Sequence, residues 1–467
     1  MNLPTFLLLL LPVFTLSAQN RATLTFEIAG LKSRQATLAY YYGGQAYRLD
    51  SVPVTPAGRF VFQRENLDPG VYFVVADGSR LFDFLVTSAS DSFTVKGSYM
   101  RTDSLWVDNS PENAAYFNFE TARKKLEERI KAKEQLLDMI GRAAGGDQEA
   151  LRPIADELEQ QYKSGDSLAL AFIQNHPQSL YARMLRSVRP PDPPKNLPAT
   201  RNGKPNPAYA RWQRAHYFDQ TDFTDERLLR NNFWHSCFDG FFSRHVTPQP
   251  DSLIAGIDEV LRKMPRNGAF YRFAVARMVQ FFEQNEAPGA DRVFVHLVDK
   301  YLRKDDTPWL DRALLERLAY KADIHRPNLT GSLALNFTLP DENGIPHALY
   351  EVEAPLTMLV FYSPLCDHCK ELMPKIYQIY LDYLPKGIKA VVLNTDLQYV
   401  YWKKFVIQQG WQWLDLASPD GIETLEKQYA ASNLPVIYLL DKDKRILAKR
   451  VRPDQLGEML AAMFGKK

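Results

Sequence analysis

Hydrophobic periodicity changes character twice along this chain, and the changes constrain the fold before any motif is considered. From about residue 19 to 105, short runs such as TLTFEIAG, GRFVFQ and GVYFVVA are rich in Val, Phe, Tyr and Thr. Turn signals at Pro56-Ala57-Gly58, Asp68-Pro69-Gly70 and Asp77-Gly78 separate them. Regular short strands with this punctuation predict an antiparallel β-sandwich. No cluster of catalytic residue types falls there, so the region reads as a docking or spacer module. From 106 to 326 the period becomes helical. Ala122, Leu126, Ile130, Leu137 and Ile140 fall on one face, with Lys and Glu crowding the other as a solvated surface. Seven prolines between residues 189 and 207 interrupt the helices and predict a long extended loop. His216, His235, His245 and His296 lie in this region without ligand spacing and read as ordinary surface or core histidines.

From 327 to 467 strands and helices alternate. PLTMLVFYS is a continuous apolar run suited to a strand buried on both faces. A helical stretch follows, then the strand IKAVVLNTD, two more helices, the strand pair within NLPVIYLLDKDKRILAKR and a closing helix. That order predicts a mixed α/β layer with a central sheet covered by helices. The full reading is thus a multidomain chain: β-sandwich, all-α middle and C-terminal α/β domain. A length of 467 residues agrees, since about 150 residues per domain gives roughly three.

Two further features bound the function. Residues 1–18, MNLPTFLLLLLPVFTLSA, combine an apolar run with a small-residue end, the form of a secretory signal peptide. The run is shorter than the roughly 20 apolar residues a spanning helix needs, so no transmembrane span is expected in the mature chain. The expected location is therefore outside the cytoplasm, in the periplasm or cell envelope. The 57 basic and 55 acidic residues leave a formal charge of +2, which is no electrostatic footprint for nucleic acid.

Export sharpens the meaning of the cysteines, because an oxidising compartment favours disulfides. There are only three, too few for a disulfide scaffold. Cys237 lies among aromatics in FWHSCFDGFF and reads as a buried thiol. Cys366 and Cys369 stand two residues apart in FYSPLCDHCKELMP, after the buried strand and at the start of a helix. A CxxC pair so placed reads as a thioredoxin-like redox motif. Free N–H groups and the positive end of the helix dipole would favour a thiolate at Cys366, the nucleophilic form. Cys369, one turn on, can close a ring with it.

The C-terminal part resembles the thioredoxin-like domains of exported bacterial thiol-disulfide oxidoreductases of the TlpA/ResA-like group. The resemblance rests on NFTLPDENG, MLVFYSP, Cys366-Asp367-His368-Cys369, Pro374, LNTD and NLPVIYLLDKDKRIL. It implies an enzyme in which Cys366 attacks, Cys369 resolves and Pro435 is a cis-proline facing the pair. The backbone of Leu434 would then pair with an extended substrate strand. His368 occupies the place of the histidine in the CPHC and CGHC motifs of oxidising members and would support the thiolate, while Asp367 opposes it. A potential of roughly −270 to −120 mV is expected from that balance. The implied partners are thiol- or disulfide-bearing envelope proteins and a redox donor protein, with no cofactor and no metal.

The sequence also departs from the family pattern. Val360 stands where many thioredoxins bury an acid, Leu365 replaces the tryptophan before the first cysteine, and Leu372 replaces a glutamate, with Glu371 one place early. Two alternatives follow: a non-catalytic envelope scaffold with a drifted thioredoxin fold, and a thiol peroxidase. Ser363 suits a peroxidase, but Leu359 stands where its upstream proline belongs. A zinc site from Cys366, His368 and Cys369 would need a fourth ligand, and no second CxxC or HxxxH supplies one.

Overall fold

The structure is a computed structural model that describes residues 21–143, 148–201, 204–285, 287–303 and 307–465. Residues 1–18, expected from the sequence to be a signal peptide, lie outside the described residues. The chain forms two compact units, residues 1–245 and 246–467, and the helical region contributes to both.

In the first unit, eight strands lead the chain: β1 (Arg21–Ala29), β2 (Gln35–Tyr42), β3 (Gln45–Pro53), β4 (Arg59–Glu65), β5 (Gly70–Ala76), β6 (Ser79–Val86), β7 (Ser92–Ser98) and β8 (Arg101–Asp108). They form two four-stranded sheets, ordered β4-β1-β7-β8 and β3-β2-β5-β6. Alternation does the sorting. Ala22, Leu24, Phe26 and Ile28 of β1 are buried, and Phe26 stacks on Phe60 at 5.0 Å and meets Phe84 of the other sheet at 5.2 Å. One pair, β1–β7, is parallel where the sequence predicts antiparallel pairing throughout. The reason is connectivity: β7 follows a strand of the opposite sheet, so the chain crosses over before returning beside β1. β3 is invisible to the pattern because its residues are exposed or only half-buried. Its turn is nevertheless encoded, since Gly43 and Gly44 both take positive φ (56° and 84°), as a two-residue hairpin requires.

Helices complete this unit: α1 (Pro111–Ala143), α2 (Gln148–Asn175), α3 (Leu180–Ser187), α4 (Pro207–His216) and α5 (Trp234–His245). The proline-rich segment carries a small hairpin, β9 (Thr200–Arg201) with β10 (Lys204–Pro205). Cys237 is buried in α5, and burial pushes its thiol up to about 11.

The second unit opens with α6 (Pro250–Lys263), α7 (Ala269–Gln284), α8 (Ala290–Tyr301) and α9 (Arg312–His325). A short hairpin follows, β11 (Thr338–Pro340) with β12 (Pro346–Ala348). Next come β13 (Leu356–Tyr362), α10 (Asp367–Tyr383), β14 (Lys389–Asn394), α11 (Tyr399–Gln409), β15 (Leu414–Leu416), α12 (Glu423–Gln428), β16 (Val436–Asp441), β17 (Ile446–Lys449) and α13 (Pro453–Gly465). The sheet order is β15-β14-β13-β16-β17. β13 and β14 are parallel, as are β14 and β15, whereas β16 runs antiparallel to β13 and to β17. Met358, Val360 and Tyr362 pack on one face with Ile376, Trp402 and Leu456. Leu359 and Phe361 pack on the other with Leu349, Ile422 and Tyr429.

An open edge at β17 would expose unpaired backbone groups. Here Gly331 N–H donates to Ile446 O (2.7 Å) and Ile446 N–H to Ser332 O (2.9 Å), so the segment after α9 covers that edge. Beneath it, Lys449 Nζ lies 2.6 Å from Asp291 of α8, with both side chains nearly buried. The Asn328 carbonyl accepts from the same ammonium at 2.9 Å. Helices and sheet of this unit are therefore joined by a buried ion pair as well as by the chain.

Candidate redox site

All seven residues of β13 are buried, so the strand is held from both faces as it delivers the chain to the cysteine motif. Ser363 makes the exit. Its hydroxyl accepts the Leu365 N–H (3.1 Å) and donates to Asp396 (3.0 Å), in the loop after β14. The sequence places Cys366 in the first turn of the helix; the structure places it one step earlier, as the N-cap. Its backbone stays extended (φ −74°, ψ 124°), and its sulfur accepts the Cys369 N–H at 3.4 Å. The Ser363 turn delays the helix by that residue, because Cys366 N–H is already engaged by Ser363 O at 3.2 Å. The cap position retains the electrostatic advantage, since orphan N–H groups and the dipole end both face the sulfur.

The two thiols differ sharply. Cys366 is half-buried, and Cys369 is buried in the core beside Tyr362 and Met373. Burial pushes the Cys369 thiol up to about 12; a hydrogen bond from the Ser363 backbone opposes this, and the neighbouring Cys366 sulfur adds to it. The register of β13 against β16 pairs Phe361 with Val436, which brings the residues before β16 to the same end of the sheet. The Leu434–Pro435 bond there is cis, and the Leu434 carbonyl oxygen lies 4.0 Å from Cys366 Sγ.

Asp367 and His368 are exposed on the first turn. Asp367 is not a lone charge: Lys370 Nζ donates to it at 2.9 Å, and that bond holds its carboxyl below the usual range. Glu371 points to Lys375 at 2.9 Å and Leu372 packs on the core, so neither approaches the sulfurs as an acid. Among the described residues no group of three or more His, Cys, Asp or Glu is arranged to hold a metal ion.

Sequence reasoning missed two features. Lys370 lies within electrostatic range of Cys366 and is the partner of Asp367; its i, i+3 spacing was the available signal. The other is Asp415 of β15, a fully buried carboxylate. It accepts from Trp402 Nε1 at 2.8 Å and from the Tyr362 hydroxyl at 3.0 and 3.1 Å. Burial nevertheless pushes its carboxyl up to about 7.

Residues 355–446 match the thioredoxin-like family, and residues 204–328 match a domain of unknown function (DUF5106). The thiol-disulfide oxidoreductase ResA of Bacillus cereus is 30% identical over 139 residues, which are 29% of this chain and 77% of that protein. This chain belongs to the thioredoxin-like thiol-disulfide oxidoreductases. A second ResA relative of this family, from Halalkalibacterium halodurans, is 25% identical over 134 residues, 29% of this chain and 74% of that protein. Among solved structures, a thioredoxin-like protein from Bacteroides caccae aligns with 58% of this chain and 97% of its own, at 16% identity and TM-score 0.43. A thiol:disulfide interchange protein from Bacteroides sp. aligns with 30% of this chain and 92% of its own, at 24% identity and TM-score 0.28. For a thioredoxin-like oxidoreductase, the asymmetry between Cys366 and Cys369 is the chemically informative feature of the site.

Proposed function

We propose that this protein exchanges disulfides with protein substrates in the bacterial cell envelope through Cys366 and Cys369. The observation that carries the reading is the half-exposed sulfur at a helix N-cap above a buried thiol that burial keeps protonated. In the reducing direction, the Cys366 thiolate attacks a substrate disulfide, forms a mixed disulfide and expels one substrate thiolate. Cys369 then gives up its proton and attacks Cys366 Sγ, closing the internal disulfide and releasing the second substrate thiol. Two electrons pass to the substrate, and a dithiol redox donor protein restores the pair; the oxidising direction is the reverse. The order of events is supported by the coupling between the sulfurs. Once Cys366 is held in a mixed disulfide it is no longer a charged neighbour, and one cause of the high Cys369 value is gone.

Asp367, His368, Leu434 and Pro435 are assigned supporting roles, with the Leu434 carbonyl offered to an extended substrate strand. The apolar segment 1–18 supports export to the periplasm or cell envelope. Among the described residues no helix is long and apolar enough to cross a membrane. The chain is divided into a β-sandwich module of unknown function over residues 19–105, a helical region over 106–326 and a thioredoxin-like domain over 327–467.

The test is insulin reduction driven by dithiothreitol, with Cys366→Ser and Cys369→Ser variants. Turnover lost in both, with a trapped mixed disulfide accumulating only in Cys369→Ser, supports the reading. Turnover independent of either cysteine would overturn it.

A further inference from the structure

Ser363 serves both cysteines with its backbone. Its carbonyl oxygen accepts the Cys366 N–H at 3.2 Å, and its own N–H donates to the Cys369 sulfur. The second contact is the one that resolution needs. A buried thiol gives up its proton reluctantly, and an N–H aimed at the sulfur favours the thiolate that must form.

β13 ends at Tyr362, so the sheet does not fix the next peptide. The loop after β14 does. The Tyr362–Ser363 peptide is trans and planar, so its C=O and N–H point to opposite sides. Thr395 N–H donates to the C=O at 2.9 Å, which leaves the N–H turned towards Cys369. The Ser363 hydroxyl then donates to Asp396 Oδ2 at 3.0 Å while it accepts the Leu365 N–H at 3.1 Å. Two consecutive loop residues thus grip the peptide and the side chain that follows it.

Asp396 is itself fixed. Its N–H donates to Asn394 Oδ1 (3.1 Å), its carbonyl accepts from Asn394 Nδ2 (2.9 Å), and its Oδ1 accepts the Gln398 N–H (3.1 Å). That leaves Oδ2 for the Ser363 hydroxyl. Ser363 is buried, so this bond to a charged acceptor is shielded from water. The aromatic residue of the turn does not compete for it, because the Tyr362 hydroxyl goes to Asp415.

We propose that Asp396 is a positioning residue for the resolving step: through Ser363 it holds the Tyr362–Ser363 N–H on the Cys369 sulfur as that sulfur turns from thiol into attacking thiolate. This rests on the disulfide-exchange function proposed above and names what steers its second half.

The test follows the reduced full chain reacting with dithiobis(nitrobenzoate), a symmetric aryl disulfide, through the absorbance of the aryl thiolate released. In the first phase the Cys366 thiolate attacks one aryl sulfur, forms a mixed disulfide and expels one aryl thiolate. In the second, Cys369 loses its proton to solvent, attacks Cys366 Sγ and expels the other. The protein dithiol is oxidised by two electrons and the aryl disulfide is reduced by two. Cys237 is buried with its thiol held up at about 11, so it does not compete.

Asp396→Ala should slow the second phase about tenfold, the scale of one hydrogen bond to a charged group, and move its pH profile upward. The first phase should be unchanged, because the Cys366 sulfur draws its support from the Cys369 N–H and the helix end. Asp396→Asn, whose amide can still bond the Ser363 hydroxyl, should recover most of the rate. Ser363→Ala should match Asp396→Ala, and the double variant should be no slower than either, since all remove the same bond. Both phases slowed alike, a second phase that keeps its rate and pH profile in Asp396→Ala, or additive losses in the double variant would overturn the positioning role while leaving disulfide exchange intact. No Cys366-dependent release of aryl thiolate by the wild type, together with no insulin turnover, would overturn the redox reading and this one with it.

Discussion

The buried carboxylate of Asp415 makes a quantitative claim about pH. Its value is pushed from 3.8 up to about 7 by burial, against the hydrogen bonds from Trp402 and Tyr362. The folded chain therefore holds this proton more tightly than the unfolded chain does. Below about pH 4 both states are protonated and the folded state has its full stability. Between about pH 4 and pH 7 the unfolded chain releases the proton first, so stability falls as pH rises and levels off above the folded value. A shift of about three units at about 1.4 kcal/mol each gives a loss of about 4 kcal/mol. The group is fully buried, so solvent screening takes little from this figure.

Asp415→Asn tests the claim without removing the acceptor, because the amide oxygen can still receive the indole and phenol hydrogens. The new NH2 faces the Trp402 indole and Tyr362 hydroxyl that donate to the carboxylate, and a donor set against donors there costs about 1–3 kcal/mol at every pH. The variant should therefore be less stable than wild type at pH 4.5 and more stable at pH 8, with the curves crossing between. Because the chain forms two units, the readout must be local: hydrogen exchange in a peptide spanning residues 411–417, followed by mass spectrometry over urea. Parallel pH slopes in the two proteins would show that the titrating proton is elsewhere and that the carboxylate stays ionised in the core.

Three other outcomes are expected. Lys449→Met should destabilise the second unit by about 3–5 kcal/mol, since it strands a buried Asp291; a Lys449→Met/Asp291→Leu double variant should recover much of that in urea titrations, and no recovery would show the pair to be uncoupled. Iodoacetamide should alkylate Cys366 in the native reduced protein and reach Cys369 only on unfolding or as pH nears 12; preferential labelling of Cys369 would reverse the roles. Equilibration with glutathione should place the pair at roughly −270 to −120 mV, with Asp367→Asn more oxidising and Lys370→Gln more reducing, each by less than about 30 mV because both charges face solvent; shifts of opposite sign would refute the account of charge around the N-cap.

What the sequence made legible follows from the strength of each local signal. β13 is apolar at every position and is followed at once by a CxxC pair, so strand, turn and helix were readable together. The strands of the sandwich that alternate cleanly were readable too. β3 was not, because an edge strand with both faces partly wet carries no period of two. β15 was not, because three residues, Leu-Asp-Leu, are too few to establish any period. That omission hid the most consequential charge in the domain. Along the chain Val360 marks the loss of a buried acid, and the neighbouring sequence offers no replacement within reach of the motif. The sheet order shows otherwise: β15 lies two strands from β13, and across that gap Tyr362 reaches Asp415 with its hydroxyl.

The Asp415 carboxylate therefore enters the core from a different strand and touches the redox turn through Tyr362, the residue immediately before Ser363. Its effect on the sulfurs must then be indirect. Tyr362 shares the buried cluster with Cys369, and its hydroxyl is committed to Asp415 rather than to a thiol. Charging Asp415 strengthens that hydrogen bond while it weakens the fold, so the same titration stiffens the turn locally and loosens the unit globally. The two effects separate in measurement. Hydrogen exchange at residues 411–417 follows the global term, whereas alkylation of Cys366 reports the turn. If the Asp415→Asn variant changes the first and leaves the second unaltered between pH 5 and 8, Asp415 serves the core alone, and proton handling at the cysteine pair is left to solvent at the half-exposed Cys366.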